Sequence, residues 1–87
     1  METHVFTVYD SAAGFYLEPF FAPSIEFAIR GFRTAVNNEG HQFNQHPTDY
    51  TLFHIGTYEP SVGQLFSKTP SSLGVAITFI DRMELEA

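Results

Sequence analysis

Between Ser24 and Asn38 the apolar residues Ile25, Ala28, Ile29, Phe32 and Val36 fall at i, i+3, i+4, i+7 and i+11, and no other stretch of the chain keeps that period. Ser24 stands where its hydroxyl can accept from the free amides of a first turn. Asn37-Asn38-Glu39-Gly40 supplies residues suited to the left-handed conformation that stops a helix. One amphipathic helix needs an apolar surface to lie on, so the rest of the chain has to provide a sheet.

The flanking segments carry strand chemistry. Val5-Phe6-Thr7-Val8-Tyr9 is β-branched and aromatic, Asp10 to Gly14 is turn chemistry, and Phe15-Tyr16-Leu17 resumes extended structure until Pro19. His41 to Tyr50 is polar and contains Pro47, which predicts a surface loop. Thr51 to Tyr58 alternates, with Phe53 and Ile55 on one side and Leu52 and His54 on the other. Glu59 to Gly63 turns the chain into Gln64 to Lys68. Thr69 to Gly74 reads as a break, and Val75 to Ile80 as a last strand. The expectation is an α+β fold: an antiparallel sheet of four to five strands with one α-helix, about residues 24–38, packed on one face.

At 87 residues the chain allows a single domain, residues 1–87, with residues 81–87 expected to be a frayed tail. Without cysteine there is no disulfide scaffold and no thiolate chemistry. No apolar run reaches the roughly 18 residues of a membrane span, and no secretory leader is visible after Met1. Four Lys+Arg against ten Asp+Glu give a formal charge of −6, which excludes the broad basic footprint of a duplex-DNA binder. Single-strand binding is less strictly excluded, because bases can stack on exposed aromatic side chains.

His4, His41, His46 and His54 are the candidate metal ligands, but their scatter over a terminus, a loop and a strand matches no zinc spacing, so no metal and no cofactor is expected. Asp10-Ser11 is explained by turn hydrogen bonds, no glycine-rich phosphate loop is present, and no catalytic residue or enzymatic activity is assigned. Gly31, in mid-helix, costs about 1 kcal/mol relative to alanine and marks a place where something packs close to the helix backbone.

The outer face of the helix is more informative. Phe27 lies about 160–200° around from the buried stripe, with Arg30 at i+3, Arg33 flanking and Glu26 able to pair with Arg30. Either the Phe20-Phe21-Ala22 segment covers Phe27, or a partner protein, a second copy or a base does. Ten phenylalanines exceed what one helix–sheet interface readily hides, and Tyr9, Tyr16 and Tyr58 can form an outward aromatic platform.

Four segments, Val8 to Ala13, Ala28 to Phe32, His46 to Gly56 and Ser72 to Ile77, occur in an order and spacing that resemble the small nonstructural protein of gokushoviruses, single-stranded-DNA microviruses of bacteria. The resemblance runs over roughly residues 5–79. It implies a nonstructural protein acting in the cytoplasm of the infected bacterial host, aiding viral DNA synthesis or packaging, with Arg30 matching the family's helix arginine. Two readings follow. In the first, single-stranded DNA is bound weakly or through viral replication or procapsid proteins. Arg30, Arg33 and Lys68 then meet phosphates while Phe27, Tyr9 or Tyr58 stacks on bases, and binding weakens steeply with salt. In the second, the chain is a homo-oligomeric interaction module, joined through Phe27 or the outward tyrosines, that touches no nucleic acid.

Overall fold

The computed structural model describes residues 2–81; of the expected tail only Asp81 falls within that span. The expected α+β architecture is found. Strand β1 (Thr3–Asp10) is central, pairing along one edge with β4 (Tyr50–Glu59) and along the other with two short strands, β2 (Phe15–Tyr16) and β3 (Phe20–Ala22). Strand β5 (Gln64–Val75) completes the sheet beyond β4, and every pairing is antiparallel. Helix α1 (Ile25–Val36) follows β3, and a single helical turn, α2 (Gln42–Gln45), precedes β4.

The local chemistry of the turns explains the hairpins. Asp10 accepts from the amides of Ala12 and Ala13 at 3.0 and 3.1 Å, and Gly14 takes a φ of 83° to bring the chain back as β2. At the second hairpin Glu59 accepts from the Ser61 amide and hydroxyl, and Gly63 supplies a φ of 65°.

Alternation along β1 and β4 divides the sheet into two faces. Phe6, Val8, Tyr50, Leu52 and His54 point to the helix side. There the core forms with Ala28, Phe32 and Val36 of α1, Phe43 of α2, Ala22 and Ala76. Phe6, Leu52 and Val36 are the largest fully buried side chains, each worth roughly 1.5–3 kcal/mol. Val5, Thr7, Tyr9 and Phe53 point to the opposite face, which no helix among the described residues covers.

Four expectations are corrected. The helix does not stop on a left-handed residue: Asn37 has a φ of −94°, and its side-chain amide donates to Arg33 O at 2.9 Å, satisfying a terminal carbonyl directly. The segment 41–50 is not simply a surface loop. His41 Nδ1 accepts from the Phe43 amide at 3.0 Å and caps α2, whose Phe43 is buried against Phe32 and Tyr50. Thr69 to Gly74 is no break but part of β5, with irregular pairing. The last apolar run is a 3-10 turn (Ala76–Phe79) rather than a strand. Both edges of β1 are already occupied, and Gly74, at φ 137°, redirects the chain so that Phe79 meets the edge of Phe32 at 5.6 Å.

Candidate nucleic-acid interface

The helix-free face of the sheet is a trough. One wall is the Leu17–Phe21 segment, held down where the Leu17 amide donates to Val8 O at 2.8 Å and the Thr7 hydroxyl donates to Leu17 O at 2.6 Å. The other wall is β5. Two adjoining hollows of about 410 and 220 Å³ share Pro19, Ile55 and Ser67, and so run along the face. Among the described residues none lining them is acidic, and Lys68 is their one cation.

Lys68 reaches this position through a distortion of the sheet. His54 pairs with Ser71 and Gly56 with Ser67, so the single residue Ile55 faces the three residues Lys68, Thr69 and Pro70. A bulge of this kind bends its strand and re-aims side chains. It also blunts the outer edge of β5, together with the lysine and the proline. The bulge depends on Gly56, because a Cβ there would lie 2.5 Å from Phe66 O.

Aromatic rings floor the end of the trough nearest Lys68. Tyr9 and Tyr16 sit 4.7 Å apart between centroids, and Tyr16 meets Phe53 edge-on at 5.6 Å. Tyr16 is 48% exposed, so much of the residue stays open to solvent despite both ring contacts. At the far end Tyr58 meets Phe21 edge-on at 6.0 Å, beside Leu65 and Phe66. Rings of this kind accept stacked bases, and a lone lysine beside them can neutralise one phosphate.

The six residues singled out from the sequence do not form one cluster. Tyr9, Tyr58 and Lys68 belong to the trough face, whereas Phe27, Arg30 and Arg33 lie on α1 on the other side of the sheet. Arg33 is engaged structurally: Nη1 lies 3.4 Å from Phe79 O and 3.5 Å from the Asp81 carboxylate, with the guanidinium over the Phe79 ring. Phe27 remains 52% exposed, so β3 does not cover it. Tyr16, read from the sequence with Tyr9 and Tyr58 as an outward aromatic platform, does lie on this face. Phe53 is the ring on this face that the sequence reading did not single out, although the alternation of β4, with Phe53 opposite Leu52, is its signal.

His4 and His54 come together on the helix side, while His41 caps α2 and His46 is exposed. Among the described residues no group of three or more His, Asp or Glu side chains could hold a metal ion, and no helix is long and apolar enough to cross a membrane.

The chain matches a family model described as phage ORF5 protein over residues 3–79, from the first residue of β1 to the end of the 3-10 turn. No curated protein and no solved structure matches it.

Proposed function

The chain belongs to the phage ORF5 protein family, and we propose that it is a nonstructural accessory protein of viral genome replication or packaging that takes up single-stranded DNA along the trough. The gokushovirus-like order of segments in the sequence supports a small single-stranded-DNA phage as its source, and the host cytoplasm as its place of action. The observation that carries the reading is the bulge that sets Lys68 in one hollow with Tyr16, whose ring contacts those of Tyr9 and Phe53, where no carboxylate among the described residues lines the hollow.

Charge decides the character of the binding. The chain as a whole is −6, and one lysine lines the trough. Stacking therefore supplies most of the affinity, at roughly 1–3 kcal/mol per base, and binding is weak unless a viral replication or procapsid protein shares the strand. One phosphate contact on a single strand gives a salt slope near −0.7, far shallower than three cations acting together would give.

Fluorescence anisotropy of a labelled poly-dT oligonucleotide across a salt series tests this. Saturable binding with a slope of about −0.7, lost in Lys68→Ala apart from the stacking contribution, supports it. Absence of binding at the lowest salt, with and without viral partner proteins, contradicts it.

A further inference from the structure

Helix α1 turns an unused face to solvent over an apolar groove. The groove, of about 380 Å³, runs between α1 and the β3 side of the sheet. Phe27, Gly31 and Ala35 line it from the helix, Phe20 and Leu17 from the opposite side, and Glu18 is its one charged residue. Glycine is a poor helix former, and nothing among the described residues uses its small size here: a Cβ on Gly31 would meet none of their atoms within 4 Å. One turn before this gap stands Phe27, a large apolar side chain left more than half exposed. Arg30 and Glu26 lie on the flank of the same face, and neither has an ion-pair partner among the described residues.

We infer that this face is the contact between two copies of the chain, with the α1 helices antiparallel across a two-fold axis. Each Phe27 fills the space over the second copy's Gly31, and each Glu26 pairs with the second copy's Arg30. The helix satisfies both requirements at once. A two-fold that levels Phe27 with Gly31 lies at the height of residue 29 along the helix, and it brings Glu26 within about two residues, or roughly 3 Å along the axis, of the opposing Arg30. Because the flank carries one charge of each sign, the two Glu26–Arg30 pairs attract across the axis and offset part of the repulsion between two chains of net charge −6, each with Glu18 lining its groove. A cationic foreign segment would satisfy only one of the two flanking charges, and a neutral one neither. The trough lies on the opposite face of the sheet and stays open in this dimer, so the inference does not rest on nucleic-acid binding.

Sedimentation equilibrium on the full chain tests it. The wild type is expected at about twice 9.8 kDa, and Phe27→Glu at the monomer mass with an unchanged circular dichroism spectrum. Gly31→Ala improves helix propensity in a monomer with room for the methyl, yet fills the hole. It is therefore expected to weaken the dimer at least tenfold without loss of folding, and it decides the matter if Phe27→Glu fails to fold. Glu26→Arg and Arg30→Glu should each weaken association, and the double exchange should restore it to within about threefold. A monomeric wild type overturns the inference. So does a dimer indifferent to Gly31→Ala, or a double exchange no tighter than the singles.

Discussion

His4 Nδ1 lies 3.1 Å from His54 Nε2, joining β1 to β4 beside Phe6. Two imidazoles in this geometry share one proton, and a second proton would place two donors against each other. Burial pushes the His54 pKa below its ordinary value, and the Lys68 and His4 charges push it the same way.

The sign of the pH dependence follows. A histidine depressed in the folded state binds fewer protons there than in the unfolded chain, so stability rises with pH through that window. The melting temperature should be level above about pH 7, fall as pH drops below roughly 6.5, and fall less in His54→Phe. Thermal melts by circular dichroism from about pH 7.5 down to about pH 5 check this. A wild-type profile no steeper than that of the variant refutes it.

Gly56 and Gly74 should tolerate no side chain. A Cβ on Gly56 meets the Phe66 carbonyl oxygen at 2.5 Å, and one on Gly74 meets the packed Phe79 ring at 2.8 Å from a backbone at φ 137°. Each substitution to alanine is expected to cost about 1–3 kcal/mol. Chemical denaturation measures it, and near-neutral effects would mean that β5 runs less tightly against β4 than described.

Asn37 ties three segments together. Its side-chain amide donates to Arg33 O and Phe79 O at 2.9 and 3.0 Å, and its Oδ1 accepts from the Asp81 amide at 2.8 Å. Asn37→Ala should cost about 1–2 kcal/mol. Arg33→Ala, removing a partly exposed ion pair, should cost under about 1 kcal/mol. Denaturation of both variants gives the order, and the reverse order would make Arg33 the principal strut.

Part of this fold was legible because local patterns and tertiary packing agree. The 3.6-residue stripe from Ile25 to Val36 is the face that packs, and Ser24 caps it with a 3.0 Å bond from the Phe27 amide. The pattern misleads where position in the sheet outranks composition. Val75 to Ile80 has strand chemistry, but the central strand has no edge left to offer it. The trough was harder still to read. Lys68 reads as the end of a strand and Thr69-Pro70 as the start of a break, and only their confrontation with Ile55 across the sheet makes them the bulge that brings a lysine into the same hollow as Tyr16.

Tyr16 offers the clearest test of stacking. Tyr16→Ala should weaken oligonucleotide binding by about 1–3 kcal/mol, roughly 5- to 150-fold, while leaving the melting temperature nearly unchanged because the residue is half exposed. Anisotropy and a thermal melt on the same sample separate the two effects. A variant that binds as the wild type does removes Tyr16 from the site.

The most direct measurement of the central claim is residue-level mapping by heteronuclear NMR of the labelled chain titrated with short poly-dT. The account predicts amide shifts concentrated at Thr7, Tyr9, Tyr16, Phe53, Ile55 and Lys68, with Phe27, Arg30 and Gly31 of the helix unmoved. Shifts centred on Arg30 and Arg33, with the trough silent, would contradict it.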